Sequence, residues 1–299
     1  MTAPMSARMI IRQVCVRMRL SRTELARFAE VSPSTVGRIV AGTLDPTWGM
    51  LTRLLDAAGT RFVGDDVRPT GDPAAGAAAA LVLDRLLVSL GGRLRQRKPT
   101  TAMQSWIDRF ERAGFIPHGP ETQRFMQAIQ VRRMVEIAAT VSGPLPRGVP
   151  ALAVGDARHW REAALQIDEA GFDYAASGLA PALELPDASF HATPRIYVSD
   201  PAAVARVLRW PETSPERGVL LMSSDGPELS GITCGHALRL TSLGRAFVDA
   251  CSAPSDRWRS AGAALQAVLR DRPWDHSPYF STPSSSRTGN SMTRRRAVP

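Results

Sequence analysis

Between Leu20 and Gly59 the sequence repeats one pattern, a polar cap, then helix-periodic apolar residues, then a breaker, and no other feature constrains the fold as much. Ser21, with Glu24 three residues on, forms a capping box at a helix start, and Leu25, Ala26 and Phe28 follow it. After a break at Glu30-Val31, Ser32-Pro33 opens another helix, since serine caps well and proline in the first turn gives up no hydrogen bond. Val36, Ile39 and Val40 supply its apolar face and Gly42 ends it. Asp45-Pro46-Thr47 is a turn and cap before a further helix carrying Met50, Leu51, Leu54 and Leu55, which Gly59 stops. Upstream, Met9, Ile10, Val14 and Met18 share one face of a helix over residues 8–19.

The stretch LSRTELARFAEVSPSTVGRIVAGTLDPTWGMLTRLLDAAG resembles the Cro/repressor-type helix-turn-helix family, with Leu20-Ser21, Leu25-Ala26, Val31-Ser32, Thr35-Val36 and Arg38-Ile39 at the family's positions. The two central helices of such a unit meet at a fixed angle so that one lies in the DNA major groove. Ala26 is small where they approach, and Leu25, Val31, Val36 and Ile39 fill the core. The turn position before Val31 is often glycine in the family because its backbone is left-handed; Glu30 stands there, at a cost of roughly 1 kcal/mol. By resemblance, Pro33, Ser34 and Arg38 face base edges. The Arg38 guanidinium can span O6 and N7 of a guanine, a reading preferred to a phosphate contact or a solvated surface arginine. Arg22, Ser32, Thr35 and Thr43 match backbone-contacting positions, Ser32 serving also as a cap. Trp48 is expected to pack under its helix.

Charge placement agrees. The 299 residues carry a net +9; residues 1–70 hold +4, residues 71–150 +5, residues 151–280 −4 and residues 281–299 +4. A basic N-terminal half suits a polyanion, since each neutralised phosphate releases counterions. With 44% hydrophobic residues the chain can build a real core, yet no apolar run is long enough to cross a membrane. Arg8 and Arg12 interrupt the first apolar stretch, so we expect no signal peptide, no membrane partner and a cytoplasmic protein. The three cysteines (Cys15, Cys234, Cys251) and five histidines have no ligand spacing, and Cys234-Gly235-His236 reads as a thiol beside a surface histidine. No metal and no cofactor are expected.

Residues 64–78, rich in Gly, Asp, Pro and Ala, read as linker. A leucine-rich helix follows (Leu81, Leu83, Leu86, Leu87, Leu90), suited to dimerisation, then a basic patch over 93–98 and helices near 101–113 and 121–140. Arg93, Arg95, Arg97, Lys98, Arg132 and Arg133 either extend a DNA footprint or form a solvated face. From 151 onward, strands are expected at 195–198, 218–222 and 237–240, and helices at 157–170, 201–209, 242–251 and 257–271. Gly171-Phe172-Asp173-Tyr174 with Ser177-Gly178-Leu179-Ala180, then Arg195-Ile196-Tyr197-Val198 before Asp200-Pro201, then Val219-Leu220-Leu221-Met222, and a closing helix with Arg259, Ala263-Ala264-Leu265 and Leu269 resemble the C-terminal region of AbiEi-type antitoxins. That family usually opens on a winged helix-turn-helix, whereas this chain opens on the stretch that resembles the Cro/repressor type.

The expected fold is an all-α helix-turn-helix N-terminal domain (1–62), a linker (63–79), a helical middle segment (80–145), a mixed α/β C-terminal domain (151–278) and a disordered basic tail (279–299). The resemblances imply a sequence-specific regulator of double-stranded DNA, a repressor acting on its own operon as an antitoxin-like protein, with a homodimeric state and a cognate toxin as partners. A phage or plasmid immunity repressor with an oligomerising C-terminal domain is the alternative. An enzyme is not expected and no catalytic residue is assigned. A nucleotidyltransferase needs a Gly-Ser turn and paired aspartates, whereas Ser177-Gly178 is reversed and Asp187 and Asp200 stand alone; Walker and nucleophile-elbow sequences are missing.

Overall fold

The computed structural model describes residues 5–89, 98–117, 128–178, 194–224, 226–230, 233–235, 238–252, 261–266 and 269. The basic patch at 93–97, part of the helix expected over 121–140, and the tail lie outside these residues. The N-terminal unit holds α1 (Ala7–Met18), α2 (Arg22–Phe28), α3 (Pro33–Ala41) and α4 (Trp48–Ala57). Its caps are local: Ser6, Ser21, Ser32 and Thr47 accept the backbone N–H of Met9, Glu24, Thr35 and Met50 at 3.4, 3.1, 3.1 and 3.3 Å. Leu25, Ala26, Phe28, Val36, Ile39, Leu51, Leu54 and Leu55 are buried, and Val31 is half-buried against them. On α1 the buried stripe is Ile10, Ile11, Val14 and Met18; Met9, expected on that stripe, is 52% exposed because Ile11 takes its place.

Residues 63–79 are not a linker. They complete an antiparallel hairpin of β1 (Thr60–Val63) and β2 (Asp66–Pro69) and then begin α5 (Pro73–Ser89). Gly59 sets the path: its φ is +64°, and a Cβ there would lie 2.7 Å from Val141 and 2.8 Å from Trp106. The alanines read as spacer are a packing surface. Ala75, Ala78 and Ala79 are buried where α5 runs close to α7 (Ala128–Ser142) and α11 (Leu243–Cys251). The leucines meant for dimerisation are spent the same way, with Leu81, Leu83 and Leu86 buried within the chain.

α6 (Thr101–Ala113) binds this middle layer to the N-terminal unit. Phe28 of α2 meets Phe110 and Phe115 edge-on, each with ring centroids 6.1 Å apart. The C-terminal part contains β3 (Ala151–Val154), a short 3-10 turn (Ala157–His159), α8 (Trp160–Glu169), β4 (Tyr174–Ser177), β5 (Arg195–Val198), α9 (Pro201–Val207), β6 (Val219–Ser223), α10 (Pro227–Ser230), β7 (Thr233–Gly235), β8 (Leu238–Leu240) and α11. Residues 261–266 are helical. The six strands run in the order β3-β6-β5-β4-β8-β7, with antiparallel and parallel pairs alternating. α11 touches β4 on one side and α5 and α7 on the other, so one helix ties the sheet to the middle layer.

That tie is ionic as well as apolar. Asp249 of α11 is buried and accepts from Ser177 Oγ (2.6 Å), Tyr197 Oη (3.0 Å), Arg195 and Arg245. Arg245 also lies 3.9 Å from Glu228 of α10, so two guanidiniums face two carboxylates. Burial pushes the Asp249 carboxyl up, but Arg245 and Arg195 outweigh it and hold it below the usual carboxylate range. Among the described residues no helix is long and apolar enough to cross a membrane.

Candidate nucleic-acid interface

α2 and α3 are the two central helices of the N-terminal unit, joined by Ala29 to Ser32. The turn works through Glu30, whose φ of +54° is the left-handed value expected there. Its carboxylate reaches Arg112 of α6 at 3.2 Å, an interaction that glycine could not make. The side of the unit facing the middle layer is tied down throughout. Arg133 of α7 bonds both carboxylate oxygens of Glu24 at 2.6 and 2.9 Å and donates to the Arg19 carbonyl at 3.2 Å. Arg19 lies 3.6 Å from Glu136, and Arg132 takes Glu136 at 2.7 Å and Gln266 at 3.1 Å. Burial raises the Glu24 carboxyl, yet the bonds from Arg133 and Ser21 prevail and leave it below its ordinary value. Arg132 and Arg133 are therefore engaged by carboxylates within the molecule.

The opposite side is open. Pro33 occupies the first position of α3, and Pro33, Ser34 and Arg38 are all exposed on it. Ser32 is the N-cap; its Oγ accepts from Thr35 N and lies 2.9 Å from Ser34 Oγ and 2.7 Å from Thr35 Oγ1. The three hydroxyls form one linked group at the N-terminal end of α3, with Ser32 and Ser34 exposed and Thr35 half-buried. Gly42 ends the helix with φ +81°, and Thr43 turns back on it, its N–H and Oγ1 donating to the Arg38 carbonyl at 3.0 and 3.3 Å. Arg22, at the first position of α2, is exposed. The structure thus sets Pro33, Ser34, Arg38, Ser32, Thr35 and Thr43 along one helix and its end, with Arg22 on the neighbouring helix.

Two residues at this end of the unit escaped the sequence reading. Arg8 of α1 crosses the end of α3, and a Cβ on Gly42 would lie 3.7 Å from its Cδ and Nη1. Trp48, expected in the core, is 72% exposed, because it takes the first position of α4, before the buried stripe of Leu51, Leu54 and Leu55 begins. Arg8, Arg22 and Arg38 have no carboxylate within 4.0 Å among the described residues, in contrast to Arg17, Arg19, Arg112, Arg132 and Arg133. A signal for Arg8 was present in the sequence: it lies among apolar residues with no acid one helical turn away.

A family model described as a helix-turn-helix domain matches residues 10–68. Over these residues the chain is similar to helix-turn-helix domains, and the similarity supports a DNA-binding segment. The match runs through the β1–β2 hairpin as well as the four helices, which agrees with the hairpin being part of the unit. None of the curated proteins and none of the solved structures matches the chain.

Proposed function

We propose that the chain is a sequence-specific transcriptional regulator that acts by binding rather than by catalysis, a repressor of its own promoter. The observation that carries this reading is the open recognition helix: Arg38 on it, with Arg8 and Arg22 beside it, is exposed and has no carboxylate within 4.0 Å among the described residues, which leaves these cations to an external anion. Arg38 reads a guanine edge, Pro33 and Ser34 face neighbouring bases, and Arg22, Ser32, Thr35 and Thr43 hold phosphates. A homodimer presents two such helices to paired half-sites. The mixed C-terminal region, with its resemblance to AbiEi-type antitoxins, serves as the protein-binding part and engages a cognate toxin in the cytoplasm. Support for a binding role comes from the polar cluster of that region: both Asp249 oxygens are taken by internal donors, which suits a lock more than a reactive group.

The test is a titration with the duplex upstream of the chain's own gene, at two salt concentrations, for wild type and Arg38→Ala. Specific binding should fall at least tenfold in the variant, while its affinity for unrelated duplex changes little. Equal, salt-sensitive binding of both proteins to any duplex would remove the base-reading role of Arg38.

A further inference from the structure

We infer that Arg8 and Trp48 form a second DNA contact, a backbone clamp at the C-terminal end of the recognition helix that positions α3 without reading sequence. The inference rests on the DNA-binding reading above and adds to it a surface that the base and backbone positions leave out. Trp48 is the most exposed large aromatic side chain among the described residues, on a unit whose other aromatic, Phe28, is buried, and Phe62 is only partly exposed. It is held at that place by structure that does not depend on its own side chain: Thr47 caps α4 through Met50 N, and Leu51, Leu54 and Leu55 anchor the helix to the core. The exposed Thr43, Asp45 and Thr47 connect the end of α3 to Trp48, and Arg8 lies against Gly42 at the near end of that connection.

The chemistry of these two side chains fits a duplex backbone. An indole offers a flat apolar face to deoxyribose and one N–H to a phosphate oxygen. The Arg8 guanidinium is exposed, with no carboxylate within ion-pair distance among the described residues, and it offers a fork of donors to phosphate. Asp45, exposed between them, repels phosphate, so contact is made at the two ends of the connection and not at its middle. A lipid surface or a second protein would also accept an exposed tryptophan. Double-stranded DNA is favoured because an exposed connection joins Trp48 to Thr43 and the end of the recognition helix, and because Arg8, set against Gly42 at that helix end, has no carboxylate within ion-pair distance among the described residues.

The experiment uses the full chain and the duplex that wild type enriches from a random 30-bp pool, with an unrelated duplex of equal length as reference. Trp48→Ala and Arg8→Ala should each weaken binding to both duplexes about five- to tenfold and keep the ratio between them, and Arg8→Ala should lower the salt slope by about one. Trp48→Phe should retain part of the affinity and lose the indole quenching that wild type shows on adding duplex. Both side chains are exposed, so melting temperatures within two degrees of wild type are expected and establish that folding is not the cause. Variants within twofold of wild type on the enriched duplex, where Arg38→Ala still collapses the ratio, overturn the clamp and leave the recognition helix intact. Failure of wild type to enrich any duplex overturns the DNA-binding reading itself.

Discussion

The helix-turn-helix unit and the C-terminal sheet use arginine in opposite ways. Around α3, Arg8, Arg22 and Arg38 stay in water with no internal partner among the described residues. Beneath the sheet, Arg195 of β5 and Arg245 of α11 are buried and share Asp249, with Glu228 beside Arg245. An exposed guanidinium gives the fold almost nothing and remains available to an anion. A buried one must be matched completely, because desolvation is costly and an unpaired charge is worse than an apolar replacement. The first arrangement can lose a member without harm to the fold, and the second cannot.

The sharpest way to break this contrast is Asp249→Asn. The change takes the shared carboxylate from two buried guanidiniums, leaving Glu228 beside Arg245, and it also weakens the bonds to Ser177 and Tyr197. We expect a loss of about 3–5 kcal/mol, seen as poor solubility or a fall of ten degrees or more in the first calorimetric transition. A fall under about three degrees would mean that the buried cluster is not a lock. Arg38→Ala, by contrast, should leave that transition in place and change only DNA binding.

The two regions also differ in how much their sequence disclosed. The helix-turn-helix was legible because each helix start and stop is coded locally, by Ser21 with Glu24, by Ser32-Pro33 and by Gly42, and the caps form as read. β4 went unread because Tyr174-Ala175-Ala176-Ser177 is buried on both faces and shows neither alternation nor β-branched residues. The supposed linker misled for a related reason: Ala-rich sequence suits a spacer and a close helix contact equally, and only the partners at Ser142 and Val248 around Gly76 decide. Asp249 gave little signal either: Arg245 lies one helical turn before it, but the partners that bury it stand 54 and 72 residues away on β5 and β4. Exposure of Trp48 depended on which turn of α4 first reaches the core, which periodicity leaves open by a residue or two.

A smaller effect probes the junction of the two regions. Asp84 of α5 accepts the Gly244 N–H at 2.8 Å, where α11 begins and approaches so closely that a Cβ on Gly244 would lie 2.6 Å from its Oδ1. Burial pushes this carboxyl up to about 7, against the pull of Ser242 and Gly244. With the folded value above the unfolded one, the native state holds the proton more tightly, so the stabilisation is complete below about pH 4 and is lost as pH rises through about 7. Asp84→Asn keeps an acceptor for Gly244 and removes the titration. Its melting temperature should therefore lose this slope between pH 4 and 7, a difference of about 1–3 kcal/mol. Parallel curves for variant and wild type would show that α5 meets α11 without a proton being held.

The smallest effect belongs to Glu30→Gly, and it tests the exposed half of the contrast. Relief of the left-handed backbone favours glycine by roughly 1 kcal/mol, and the greater freedom of glycine in the unfolded chain takes back roughly 0.5–1 kcal/mol. The ion pair to Arg112 is also lost, but the Glu30 side chain is 65% exposed, and pairs of that kind contribute about 0–1 kcal/mol. These terms nearly cancel, so denaturant unfolding of the variant should fall within about 0.5 kcal/mol of wild type. A loss beyond about 1.5 kcal/mol would mean that the pair anchors the turn to α6 despite its exposure. Exposed and buried arginines would then differ in degree rather than in kind, and the glutamate at this turn would be the reason the recognition helix keeps its place on the middle layer.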